Sequence, residues 1–461
     1  MTETWRRRYS ALPEQAKARA EAARQKNALI ACGFTANLDR VVAFDQVLAG
    51  RLFAERRIDV AAPRVTRADS VDGLLTGIAQ CIAAGAGCDL PVRDAAVQGW
   101  LQERVAGRVQ IGGTGAQAAA TLARLGFPVL LHLTSCSPEQ IAALPAREVM
   151  MIGSGDGLAP IEAATNPADR TMWHVVLEYA EGVGLPIPGA SPAPAGNRVI
   201  ITYDPVNSAF TIDPGFDAAL GDSKHEIGAL LISGFSQLTE REMLERVLQD
   251  TARAIRTWRA VRPRMPVHLE LGAMPEADSA SRLLEMLHPI VTSIGLNIDE
   301  LRDLLRSLDM TMAQPGAELI AQFRWLAARY PVPRWSLHTR EFCVSLVVGD
   351  ATAERDALLF GSLVAATRSR ISDFPLWSDL QATLERAVVN PLGMAVLDSL
   401  GIADDGCMDD TLVVKPGLQV EGATASVGLG DSFTAGVLTM LQGSGPASAS
   451  KLTRKNVPAD H

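Results

Sequence analysis

The stretch Thr424-Ala425-Ser426-Val427-Gly428-Leu429-Gly430-Asp431-Ser432-Phe433-Thr434-Ala435-Gly436 constrains this chain more than any other. A Gly-x-Gly loop that runs straight into an apolar helix leaves several backbone N–H groups without internal partners, and the helix dipole adds to their pull on an anion. Gly428 and Gly430 let a ligand approach the backbone and tolerate positive φ. The loop therefore reads as a phosphate site, with the amides of Gly428, Leu429 and Gly430 forming an anion hole. Asp431 is out of place beside bound phosphate unless it serves a purpose, and the fitting purpose is to take a proton from an attacking hydroxyl. The structural alternative is a capping Asp after a glycine turn.

Upstream of that loop the chain has the rhythm of an open α/β sheet. Leu29–Phe34 reads as a buried strand opening into the polar loop Thr35–Asp39, and ligands bind at the carboxyl ends of such strands. Asn37 and Asp39 are also simply good turn formers. Residues 70–88 read as a helix ending in glycines, followed by Asp89. The segment 109–120 reads as strand, Gly112-Gly113 turn and helix, where the small residues serve either close packing or close approach to a ligand. From residue 229 strands and helices alternate again, with a helix over 239–260, strands at 267–271 and 290–296, and Asn297 opening a further helix.

Between 153 and 220 the composition shifts to Gly, Pro and Ala around two alternating segments, 173–179 and 198–202, which suit a separate, partly solvated sheet. A chain of 461 residues is long enough for one large and one smaller domain. The expected division puts 1–44, 108–163 and 224–461 in a large α/β domain, and 45–107 with 164–223 in a discontinuous lid.

Composition excludes some classes. A formal net charge of -9, from 43 basic and 52 acidic residues, argues against a broad nucleic-acid surface. No apolar run is long enough to span a membrane. The six cysteines have no Cys-x-x-Cys spacing and read as small buried hydrophobes rather than staples or metal ligands, which suits a reducing cytosol. Arg6-Arg7-Arg8 is followed by an Ala-rich charged stretch instead of an apolar signal core, so the N-terminus reads as a surface helix and the location as cytoplasmic.

The Gly-x-Gly-Asp loop resembles the signature of ribokinase-like sugar kinases, and its context resembles the ADP-dependent glucokinase and phosphofructokinase branch. Gly33-Phe34 with Asn37 and Asp39, Asn197-Arg198, His268-x-Glu270, Asn297-x-x-Glu300, His338-Thr339 and Lys415-Pro416 match that branch in order. The resemblance implies a ribokinase-like three-layer sandwich with a lid, and ADP-dependent phosphorylation of a sugar or sugar phosphate, releasing AMP. It makes Asp431 the catalytic base. Asn37, Asp39, Asp89, Gly112, Gly113 and Arg198 would hold the sugar, and Asn297 the nucleotide phosphates. His338, Thr339 and Lys415 would lie near the nucleotide, and Glu270 and Glu300 near magnesium or another divalent cation. Two departures stand out. Asp89 is one methylene shorter than the family's glutamate, and Ile298 replaces a further glutamate. An ATP-using sugar or nucleoside kinase, and a sugar-binding regulatory relative without turnover, share many of these features.

Overall fold

The computed structural model of the chain describes residues 3–54, 56, 58–155, 157–274, 276, 278–402, 406, 411–422 and 427–441. Thr424, Ala425 and Ser426 of the glycine-loop stretch, and Cys407, lie outside the described residues.

Most of the apolar core surrounds a ten-stranded sheet. From one edge its strands are Leu412–Pro416, Phe342–Val347, Arg334–His338, Ser293–Asn297, Val267–Glu270, Ile227–Ile232, Leu29–Gly33, Val129–Leu131, Met150–Ser154 and Gly157–Pro160. The seven from Arg334–His338 to Met150–Ser154 run parallel, and the outer ones are antiparallel. Strands such as Leu29–Gly33, buried at every position, are what a parallel sheet covered on both faces requires. All the parallel carboxyl ends therefore open on one edge, where the loops 34–36, 271–274 and 339–341 emerge, the expected loop Thr35–Asp39 being a strand from Asn37 onward.

A five-stranded sheet stands over that edge, in the order Cys88–Pro91, Asn197–Thr202, Trp173–Tyr179, Asn37–Phe44, Arg108–Gly112. It has its own apolar core, in which Leu74, Leu75 and Ile78 of the helix Val71–Ala84 pack with Val175, Leu177 and Ile201. The two alternating segments near 173–179 and 198–202 are indeed strands of a second sheet. Three boundaries differ from the sequence-based division. Asn37–Phe44 and Arg108–Gly112, assigned to the large domain, pair with each other and with Trp173–Tyr179 in the small sheet. Conversely the helix Pro214–Gly221, assigned to the lid, buries Phe216 and Leu220 in the large core. Periodicity reports that a strand exists but not which sheet it joins, because pairing is a long-range property.

The N-terminal helix Glu3–Lys26 exposes Arg6 and Arg7 but buries Trp5, Tyr9 and Leu12 against the helices Ala351–Ile371 and Leu429–Leu441. It is thus a structural support beneath the glycine-loop helix as well as a surface helix. Cys32 and Cys343 are buried as expected, but Cys81 and Cys88 form a disulfide, with Cα atoms 6.5 Å apart. The glycine turn at Gly85 folds the strand Cys88–Pro91 back beside the last turn of Val71–Ala84, which spacing alone does not reveal.

Candidate active site

Between the two sheets lies a cleft of about 2130 Å³. On the small-sheet wall, Asp39 is almost wholly buried. Its Oδ1 accepts a 2.7 Å hydrogen bond from Asn37 Nδ2, and its Oδ2 a 3.5 Å one from Gln117 Nε2. Gly112, across the ladder from Asn37, does not line the cleft but makes the pair possible, because a Cβ there would collide with Asn37 Nδ2 and Asp39 Oδ1. His174, paired with Asp39 on the next strand, holds Nδ1 4.0 Å from Asp39 Oδ1, and its Nε2 donates to Asp204 Oδ2 at 3.0 Å. Burial works against charge on His174, but Asp204, Asp39 and Asp89 outweigh it and raise its pKa above that of a free imidazole. Burial also raises Asp39, against the pull of His174, Asn37 and Arg368. Asp89 and Arg198 line the same wall, and the Arg198 charge partly offsets the desolvation that raises Asp89.

The glycine loop closes one side of the cleft. Gly428 has φ +75°, which only glycine adopts freely, and its backbone is pressed against the Gln117 side chain so closely that no Cβ would fit. Leu429 opens the helix Leu429–Leu441, leaving the first amides free for an anion. Ser432 Oγ lies 3.2 Å from Thr121 Oγ1, which ties this helix to Thr114–Arg124. Asp431 faces the cleft in the first turn. Desolvation, and then repulsion from Glu270 and Asp39, push its carboxyl up to about 6, against a hydrogen bond from Thr114 and the charge of Arg198.

Glu270 lies beside the glycine-loop helix, at the end of the strand Val267–Glu270. His268 Nε2 donates to Glu270 Oε2 at 2.9 Å, as does Thr434 Oγ1 from the glycine-loop helix at 2.9 Å. His268 is held neutral chiefly by burial, so its Nδ1 accepts from Ser293 Oγ at 2.7 Å. Burial would raise Glu270, but these donors and His338 outweigh it, and the carboxyl sits below its ordinary value. Glu300 closes a capping box with Asn297. Its Oε2 accepts from the Asn297 amide, and its Oε1 from Asn297 Nδ2, each at 2.8 Å. Burial, with repulsion from Glu270 and Asp431, raises its carboxyl to about 8. His338 stacks on Phe433 with ring centroids 4.9 Å apart, and its Nδ1 lies 3.9 Å from Glu270 Oε1.

Carboxylates that repel one another suit a hard divalent cation, which would relieve the strain of gathering negative charge. Among the described residues no three such groups lie close enough to share an ion directly. The donor set thus fits an ion held largely through water, as magnesium prefers.

The cleft brings together Asn37, Asp39, Asp89, Gly113, Arg198, Glu270, Asn297, Glu300, His338, Thr339 and the loop 428–431. Lys415 is not among its lining residues. It is fully buried, its Nζ donates to Ser362 Oγ, and burial brings it down to about 8. Arg170, another arginine of the expected lid that could meet a sugar phosphate, is exposed and also not among them. Sequence reasoning missed Gln117, His174, Asp204 and Thr434. For His174 a signal was available, since it occupies the polar phase of an alternating strand.

A mostly parallel sheet, a glycine-loop helix with a carboxylate in its first turn and a second sheet across the cleft together make a ribokinase-like α/β fold with a smaller second sheet. Residues 28–440 match the ADP-specific phosphofructokinase/glucokinase conserved region, and the chain belongs to that family of ADP-dependent sugar kinases. It is 22% identical over 386 residues to an ADP-dependent glucose/glucosamine kinase of Pyrococcus abyssi, covering 79% of this chain and 83% of that one. It is 21% identical over 397 residues to an ADP-specific phosphofructokinase of Methanosarcina acetivorans, covering 77% and 80%. Among solved structures, an ADP-dependent kinase in complex with fructose-6-phosphate and ADPβS superposes with a TM-score of 0.81 at 18% identity, over 99% of this chain and 100% of that one.

Proposed function

We propose that this protein transfers the terminal phosphoryl group of ADP to a hydroxyl of a hexose, releasing AMP, with Asp431 as the general base. The observation that carries this reading is Asp431 itself. A carboxyl raised to about 6 stands beside free helix-start amides, in one cleft with the buried carboxylate of Asp39. Asp39, with Asn37, orients the acceptor. Asp431 takes the hydroxyl proton as the oxygen bonds to phosphorus and the bond to AMP breaks. The amides of 428–431 take up the charge on the phosphoryl oxygens. Glu270 and Glu300 would hold magnesium, which would supply neutralisation of phosphate charge. His338, Thr339 and Asn297 border the nucleotide, and the small sheet acts as a lid that excludes water. The acidic net charge supports an enzyme without nucleic-acid partners.

Asp89 supports an unphosphorylated hexose, as an acceptor of hydrogen bonds from sugar hydroxyls. A hexose phosphate is the second reading, supported by Arg64, Arg67 and Arg198 lining the same cleft. A coupled assay over free hexoses and hexose phosphates, with ADP and with ATP, decides between them. Asp89→Ala should raise the acceptor KM more than Arg198→Ala does. Turnover of fructose 6-phosphate with inert free hexoses, abolished by Arg198→Ala, reverses the preference.

A further inference from the structure

Arg368 is a buried cation with no carboxylate in ion-pair contact. It lies in the helix Ala351–Ile371 at 1% exposure, and no ion pair involves it among the described residues. Its guanidinium carbon sits 3.9 Å from the centroid of the Phe374 ring, and its Nη2 donates to Gln110 Oε1 at 3.1 Å and to Gln117 Oε1 at 3.4 Å. Its Nε and Nη1 have no partner among the described residues. A second cation, Arg108, donates to the same Gln110 oxygen at 2.6 Å. Burying an arginine in this way costs stability, so its placement requires another explanation.

That explanation lies in what it holds. Gln117 is itself 2% exposed. Its side-chain amide can point either way, and the two orientations are not equivalent here. With Oε1 toward Arg368, the amide accepts from a guanidinium, and its Nε2 faces Asp39 Oδ2 as a donor. Flipped, it would set NH2 against guanidinium N–H and carbonyl oxygen against carboxylate. The same Gln117 oxygen is the atom against which Gly428 is pressed. One arginine thus sets the orientation of a side chain wedged between Asp39 and the glycine loop.

We infer that Arg368 is a positioning residue for the transfer reaction, fixing the Gln117 amide so that it aligns Asp39 with the glycine loop while touching neither substrate. The inference rests on the reading of Asp39 as the acceptor-binding carboxylate. Arg368→Met removes the donor and keeps the volume. It should raise the acceptor KM about 10-fold and the ADP KM by clearly less, because Gln117 is hydrogen-bonded to Asp39 but only packs against the glycine loop. Gln117→Leu should give a similar rise. The double variant should exceed neither single variant by more than about 2-fold, since residues acting through one another are not additive. Arg368→Lys keeps a charged donor, and should recover at least half of the loss on a logarithmic scale even if Arg368→Met folds poorly. An unchanged acceptor KM in both Arg368 variants, or multiplied effects in the double variant, overturns the inference and leaves the proposed function standing. A wild type that phosphorylates no sugar with ADP overturns both.

Discussion

Asp431 is less acidic in the folded chain than in the unfolded one, pushed from 3.8 to about 6 by burial and by Glu270 and Asp39. Between those two values the folded chain keeps a proton that the unfolded chain has lost. Wild-type stability therefore falls as pH rises through that window, and the full loss is present above it. The difference corresponds to about 3 kcal/mol. Because the carboxyl opens on the cleft, solvent screening brings the expected figure down to about 1–2 kcal/mol. Asp431→Asn removes the charge and the loss with it. The variant should unfold at higher urea than wild type at pH 7.5, with the gain shrinking toward pH 5 and gone near pH 4. Its turnover should drop on the order of 10²-fold or more, since the proton acceptor is gone. Urea titrations of both proteins at the three pH values, beside a coupled kinase assay, check both halves. Equal midpoints at pH 7.5, a gain larger at pH 4 than at pH 7.5, or wild-type turnover in the variant would refute the reasoning.

Magnesium-ADP should raise the melting temperature more than magnesium-ATP at equal concentration, because stabilisation follows concentration relative to Kd; equal or reversed shifts in a dye-based melt count against the donor assignment. Glu270→Gln and Glu300→Gln should each raise the magnesium concentration giving half activity, and an unchanged requirement in both places the ion elsewhere. Gly112→Ala sets a methyl against Asn37 and Asp39. It should destabilise by about 1–3 kcal/mol and raise the acceptor KM, measured by urea midpoint and initial rates, whereas a normal acceptor KM would separate that pair from the sugar.

The strand endings were legible because one buried apolar run after another stops at glycine or a polar turn. The chain positions of Asp39, Asn297 and Asp431, each just past such an ending, could be placed from the same pattern. Asn297 with Glu300 shows how the local signal works, for a capping box is complete within four consecutive residues and needs no distant partner. Gln117 was hidden for the opposite reason. It sits in an alanine-rich helix that reads as packing, and only a partner 251 positions away gives it an orientation. Lys415, expected near the nucleotide from its place before the glycine loop, is buried, and its ammonium donates to Ser362, which itself lines the cleft. Thr35–Asp39 reads as a polar loop from its own residues, but from Asn37 it is the strand Asn37–Phe44, formed by pairing with Trp173–Tyr179 far along the chain.

The strand Asn37–Phe44 belongs to the small sheet, and so do Cys88–Pro91, Trp173–Tyr179 and Asn197–Thr202, which bear or border Asp39, Asp89, His174 and Arg198. Glu270, Asn297, His338 and the glycine loop all belong to the other body. In the proposed reading the two halves of the reaction are therefore written on separate folding units. Substitutions in one sheet can retune which acceptor is chosen without disturbing the choice of donor, and a lineage of such proteins could exchange sugars by remodelling about a third of its strands.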